Sequence, residues 1–182
     1  MVITLGNIVF GGKGNGGEKP AAYVVPDGMS FGYPTLTEFP TDGLDFSQKT
    51  NFSYCWHHCQ SLASFPALDL SKGTNFQYAW ASCSSLTDFA QVDLSAGTKF
   101  QYAWTKCSSL TTLGGFGAIK ESFNLEYCTK LTVDSIMNVI TQAANLNELG
   151  ITGKRMTLGS TNLAKLTDEQ KAVATNKGWT LA

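Results

Sequence analysis

Residues 55–59 read Cys55-Trp56-His57-His58-Cys59, two thiols and two imidazoles within five positions. Such side chains ligate zinc or copper. The sequence argues against a metal here. Cys59 recurs as Cys83 and Cys107, so it belongs to a repeat rather than to a unique site. Cys55 stands where later copies carry Ala79 and Ala103, and no second ligand pair lies near. Both sulfurs are expected to point inward as small buried apolar groups. His57 and His58 align with Ala81-Ser82 and Thr105-Lys106 and are expected to be exposed. No metal and no cofactor is expected.

Other chemistry-bearing patterns fare no better. Gly12-x-Gly14-x-x-Gly17 fits the dinucleotide fingerprint in spacing, but Glu18-Lys19-Pro20 follows, with no helix start to face a phosphate. The stretch reads as a flexible glycine link. Lys13 is followed by Gly14 rather than Ser or Thr, so a Walker A loop also fails. Asp45, Asp69 and Asp93 recur and would stack into a carboxylate column able to bind calcium. Each has Ser two residues later, so turn capping is the expected role. The two histidines are adjacent and neither has an orienting acid, so no catalytic triad is supported and no enzyme is expected.

The elements that must position these residues come from an internal repeat of 24 residues. Asn51-Phe52-Ser53-Tyr54-Cys55-Trp56-His57-His58-Cys59-Gln60-Ser61-Leu62 returns as Asn75-Phe76-Gln77-Tyr78-Ala79-Trp80-Ala81-Ser82-Cys83-Ser84-Ser85-Leu86. It returns again as Lys99-Phe100-Gln101-Tyr102-Ala103-Trp104-Thr105-Lys106-Cys107-Ser108-Ser109-Leu110. Phe76, Ala79, Trp80 and Cys83 fall at i, i+3, i+4 and i+7, one face of a short helix or helical turn. Leu86-x-x-Phe89 with Val92 and Leu94 reads as a short strand and turn. Stacked copies would lie ~5 Å apart where strands pair in parallel. Trp56, Trp80 and Trp104, Cys59, Cys83, Cys107 and Cys128, and Leu62, Leu86 and Leu110 then become core ladders. The pattern decays outward: a half unit with Leu36, Phe39 and Leu44 lies upstream, and a unit shortened to 21 residues between Cys107 and Cys128 lies downstream. Degenerate end copies suit the closing of a stack.

The expected organisation is an N-terminal strand (Val2 to Phe10) and glycine-rich arm over 1–20, a cap and half repeat over 21–50 with a turn at Pro26-Asp27-Gly28, repeats over 51–131, and a closing cap over 132–182. In that cap Thr132 starts a helix with Val133, Ile136, Met137, Val139 and Ile140 apolar. Lys154–Leu158 is a strand. Thr167-Asp168-Glu169-Gln170 is a capping box for a second helix ending near Gly178, and Trp179-Thr180-Leu181 is a last strand.

Charged residues are only 15% of the 182, against roughly 25% in ordinary soluble domains, and the formal net charge is −1. That excludes the basic excess of a nucleic-acid binder. No window approaches the ~18 apolar residues of a membrane helix, and the start lacks the charged region of a signal peptide. A real core can form, since 43% of residues are hydrophobic.

The unit Cys-x-x-Leu-x-x-Phe-Pro, Asp-Leu-Ser, Asn-Phe-x-Tyr-Ala-Trp-x-x-Cys resembles the BspA-like bacterial surface leucine-rich repeat over about residues 35–131. The tail from Leu158 to Trp179 is similar to the closing unit of such repeats in bacteriophage and gut-bacterial proteins. Trp56, Trp80 and Trp104 depart from the Phe or Met common in the family. The resemblance implies an α/β solenoid: a helical turn plus a short strand per unit, a parallel sheet on one side, and an α/β C-terminal cap. It implies adhesion or binding rather than catalysis. The expected setting is a virion, as a phage tail or head-fibre component that meets a host surface glycan or protein. Residues 1–20 would dock on other virion proteins, with an oligomer possible. A decoration subunit without receptor binding, or a bacterial surface adhesin, are the alternatives.

Two surfaces are candidates for binding. One is the column Tyr54, Tyr78 and Tyr102 off the apolar face, with His57, His58, Ser82 and Lys106 at the positions free to vary; internal stacking of the tyrosines is the competing role. The other is the strand face, with Thr87, Asp88, Thr111 and Thr112.

Overall fold

The computed structural model describes residues 22–182, together with the backbone of residues 3–5 and 8–10. The glycine link over 11–17 lies outside the described residues. The chain forms short parallel strands in small sheets, with few helices. The exception to parallel pairing is at the start. The single strand expected over Val2–Phe10 is two strands, β1 (Ile3–Leu5) and β2 (Ile8–Phe10), paired antiparallel. The turn-forming dipeptide Gly6-Asn7 stands between them in the sequence.

β3 (Tyr23–Val24) pairs with β4 (Leu44–Asp45). The expected turn follows β3, with Met29 N–H donating to Pro26 O. Asp27 then reaches the first full copy: its carboxylate accepts from the Thr50 and Asn51 amides and the Thr50 hydroxyl. Those hydrogen bonds hold the Asp27 carboxyl below its ordinary pKa, the Asn51 amide most of all. Lys49 is buried and donates to the Pro26 and Met29 carbonyls.

Three copies then stack. β5 (Ser64–Phe65), β6 (Asp88–Phe89) and β7 (Thr112–Leu113) form a parallel sheet in which Phe65, Phe89 and Leu113 share one register and are buried. The helical turn expected at Phe76–Cys83 is absent. Residues 75–83 instead make successive β-turns: Ala79 N–H donates to Phe76 O, Ala81 to Tyr78 O and Cys83 to Trp80 O. The alternate amides of Phe76, Tyr78, Trp80 and Ser82 donate to Lys99, Gln101, Ala103 and Thr105 of the next copy, at 2.8–3.0 Å. A helix would spend every amide within itself; here half of them bind the neighbouring copy. The geometry needs left-handed residues, and Tyr54, His58, Tyr78, Ser82, Tyr102 and Lys106 all have φ between 55° and 65°. For a residue with a side chain that backbone costs about 1–2 kcal/mol.

The core is a set of columns. Trp56, Trp80 and Trp104 stack at 5.4 and 5.3 Å between centroids, and Phe52, Phe76 and Phe100 at 5.2 and 5.5 Å. Leu62, Leu86 and Leu110 are fully buried beside them. Each thiol donates to the preceding copy: Cys59 to Phe31 O, Cys83 to Trp56 O and Cys107 to Trp80 O at 3.1–3.2 Å, with Cys128 farther from Trp104 O at 3.8 Å. The repeated cysteine is thus a rung-to-rung tie that also fills core space. Asp45, Asp69 and Asp93 accept from the amides of Ser47, Ser71 and Ser95, the turn-capping role.

The last region is different. β8 (Phe123–Asn124) pairs with β9 (Arg155–Thr157), which pairs with β10 (Thr180–Leu181), all in parallel. Thr132 caps α1 (Val133–Gln142) and accepts from Ser135 N–H. The expected capping box starts α3 (Asp168–Asn176), and Gly178 follows it at φ 85°. A short helix, α2 (Gly159–Leu163), was not foreseen. The polar side of α1 closes the sheet edge at β7. Ser135 Oγ accepts from Leu113 N–H and donates to Thr111 O, Asn138 Nδ2 donates to Leu113 O, and Gln142 Nε2 donates to Gly114 O. An open edge would leave those groups unpaired.

Candidate binding surface

The two candidate surfaces fall on different columns of the stack. Tyr54, Tyr78 and Tyr102 sit on the β-turn column, each held in the left-handed region. Their own amides differ: Tyr54 and Tyr78 donate to Gln77 O and Gln101 O, and Tyr102 has no such partner among the described residues. The rings form a ladder outside the core, with 4.8 Å between successive centroids and interplanar angles of 12° and 21°. Tyr54 is 46% exposed and Tyr102 54%, with Tyr78 half-buried between them. Internal stacking and exposure therefore coexist. Stacking covers the faces of Tyr78 and leaves edges and hydroxyls outward. Desolvation raises the Tyr78 phenol pKa, and the neighbouring phenols of Tyr102 and Tyr54 add to the shift.

His57 packs edge-on to Tyr54 at 5.4 Å and to His58 at 4.0 Å. Contrary to expectation His57 is half-buried, and Ala81 at the same repeat position is buried. That position follows the core tryptophan and lies under the tyrosine rings. Desolvation lowers the His57 pKa, and His58 lowers it further. His58 and Lys106 are exposed and Ser82 is half-buried. All three occupy the second left-handed position, so their side chains diverge from the core.

On the strand column Thr87, Asp88 and Thr112 are exposed and Thr111 is half-buried. Two of the threonine hydroxyls are already engaged: Thr87 Oγ1 donates to Ala63 O and Thr111 Oγ1 to Thr87 O. This face is a self-satisfied ladder with fewer free groups than its composition suggests. No hydrogen bond or ring contact joins it to the tyrosine column among the described residues.

The cysteines offer no reactive thiol here. Burial raises the pKa of Cys107 to about 12 and pushes Cys55 and Cys128 up as well. The interaction with the neighbouring Cys59 thiol and burial raise Cys83, while the same interaction lowers Cys59. Among the described residues, no three His, Cys, Asp or Glu side chains are grouped to hold a metal ion.

Beyond Tyr102 the stack opens into a cleft of about 530 Å³, lined by Gln101 and Tyr102 from the third copy and by Asn124, Arg155 and Thr157 from β8 and β9. Sequence reasoning missed Asn124, Arg155 and Thr157. The signal was the shortened spacing between Cys107 and Cys128, which removes three residues from the unit that would have covered Tyr102.

No family model, curated protein or solved structure matches the chain.

Proposed function

We propose that the chain is a leucine-rich-repeat-like solenoid of the BspA-like kind and acts as a non-enzymatic binding module, a phage tail or head-fibre component that recognises a host surface glycan or protein. The observation that carries this reading is the exposed tyrosine ladder. The three aromatic rings stand outside the core, stacked on one another, with Tyr54 and Tyr102 about half exposed, so a large aromatic area faces outward. Large aromatics exposed together are the usual material of recognition surfaces, where they give contact area with few rotatable bonds. The core thiols, each donated to a carbonyl, leave no nucleophile beside a base and so support a non-catalytic role.

The test is retention of the purified full chain on bacterial cells and on an array of immobilised surface glycans. Wild-type protein is compared with the triple variant Tyr54→Ser, Tyr78→Ser, Tyr102→Ser at matched urea stability. Retention lost in the variant supports the reading. Equal retention by both proteins would overturn the assignment to the tyrosine column, and no retention of either would overturn the binder.

A further inference from the structure

In the first two copies every second amide of the β-turn column is used. Phe52, Tyr54, Trp56 and His58 donate to the second copy, and Phe76, Tyr78, Trp80 and Ser82 to the third, all at 2.7–3.0 Å. The third copy repeats the same turns, with Ala103 N–H to Phe100 O, Thr105 to Tyr102 O and Cys107 to Trp104 O. Its alternate amides at Phe100, Tyr102, Trp104 and Lys106 therefore point the same way, toward the next unit. Among the described residues none of them has an acceptor.

The next unit has turned away. Phe123 and Asn124 pair onward with Met156 and Thr157, and Leu125 N–H donates to Thr157 O at 2.7 Å. The phenylalanine column stops at Phe100, because Phe123 packs on Phe116 and Trp179 instead. The longer Cys128–Trp104 tie shows the same parting at the inner end of the wedge. Phe100 and Tyr102 line the open cleft, so their amides stand there as backbone donors that a ligand with an acceptor group can engage.

The rest of the lining points to what that is. Tyr102 has Tyr78 on one face and, among the described residues, no ring on the other. The Arg155 side chain is exposed, with no carboxylate within ion-pair distance among the described residues. Asn124 Oδ1 is engaged by Glu126 N–H, which leaves its amide nitrogen as the group able to donate into the cleft that Asn124 lines. An open aromatic face suits a pyranose ring, amide donors suit hydroxyls, and a guanidinium with aligned backbone N–H groups suits a carboxylate.

We infer that the cleft between the third copy and β8–β9 binds an acidic sugar, a hexuronate unit whose ring lies on Tyr102 and whose carboxylate meets Arg155 and the Phe100 and Tyr102 amides. This rests on the reading of the chain as a surface binder and adds the site and the ligand class.

The experiment titrates the full chain with a galacturonate tetrasaccharide and with its methyl ester, following amide chemical shifts. Arg155→Ala, Arg155→Lys and Tyr102→Ala are run alongside, each checked for an unchanged urea midpoint. The expected result is binding of the acid with shifts at the Phe100 and Tyr102 amides, and an affinity lower by at least about tenfold for the ester and for Arg155→Ala, the scale of one charge-assisted hydrogen bond. Arg155→Lys should recover part of the loss. Equal affinity for acid and ester, no binding, or shifts confined to other residues would overturn the site. Equal binding of an acidic peptide would overturn the sugar assignment. Cell retention that persists unchanged in Arg155→Ala would sink the cleft and leave the binder standing. Uronate binding without cell retention would do the reverse.

Discussion

Trp80 and Trp179 are both buried, yet only one has a partner for its indole N–H. Trp179 Nε1 donates to Ala144 O at 2.9 Å, whereas the Nε1 atoms of Trp56, Trp80 and Trp104 are buried without an acceptor among the described residues. The contrast runs through the regions around them. Apart from Asn145 Oδ1, the tail satisfies its groups one by one: Thr132 and Thr167 cap helices, Lys177 donates to the Ile140, Thr141 and Ala143 carbonyls at the end of α1, and Lys165 donates to the Thr129 and Leu131 carbonyls. The repeats have no helix. Much of their backbone bonding reaches the copy on either side. Their aromatic columns offset part of the penalty of orphaned indole donors, each stacked pair contributing about 0.5–1.5 kcal/mol, and the large apolar area each ring buries supplies the rest. Repetition makes that gain recur at every junction, so one imperfect group is tolerated in every copy.

The comparison breaks first at Trp80. Trp80→Ala should cost about 3–5 kcal/mol in urea unfolding, because the cavity opens between two stacked indoles. Trp80→Phe should cost clearly less than Trp80→Ala, since the cavity is smaller and the change also removes a buried donor whose desolvation costs about 1–3 kcal/mol. If Phe proves as costly as Ala, the indole N–H is no liability and the contrast with Trp179 is empty.

Next in size is the seam between the regions. Ser135→Ala removes the acceptor for Leu113 N–H and a donor to Thr111 O, a loss of about 1–3 kcal/mol. Hydrogen exchange at Leu113 should quicken more than at Phe89, which lies one strand inside. Equal change at both would mean that α1 does not act as the edge of the sheet.

A smaller effect, of opposite sign, is expected at the left-handed positions. Lys106→Gly removes a strain of about 1–2 kcal/mol and adds about 0.5–1 kcal/mol of unfolded-state entropy. A net gain of up to about 1.5 kcal/mol should raise the urea midpoint. A lower midpoint would show that the Lys106 side chain contributes contacts that outweigh the strain.

The smallest change follows acid. Asp27 has a folded pKa below its unfolded value near 3.8. Its contribution is therefore complete above that value and is lost as pH falls through the folded pKa. The Thr50 and Asn51 amides should lose exchange protection in that window before the Trp80 amide does. Simultaneous loss would remove Asp27 as the tie between the first cap and the repeats.

Much of this architecture was legible beforehand, for particular reasons. Copies that align residue for residue can only stack with like on like, so the Trp, Cys and Leu columns followed from spacing. Thr132 and the Thr167–Gln170 box were readable because caps are local. The turn column was not, since i, i+3, i+4, i+7 spacing serves a helix and a run of β-turns equally. Nothing about Tyr, His, Ser or Lys announces a positive φ, because glycine is the usual mark. The half-burial of His57 depends on rings from Tyr54 and Tyr78 lying over it, a tertiary fact. Arg155 and Asn124 became candidates only when the fourth unit was seen to leave the stack.

The alternate amides of the turn column make the junctions between copies interchangeable. Trp56 N–H meets Ala79 O, and Trp80 N–H meets Ala103 O, in the same geometry. A further unit spliced between the second and third copies would find donors below and acceptors above already in place. It would push the Asp27 end and the Arg155 cleft apart by one fixed step of ~5 Å without altering either. Reach is thus a countable property of this molecule, set by how many identical tiles lie between two termini whose chemistry stays constant.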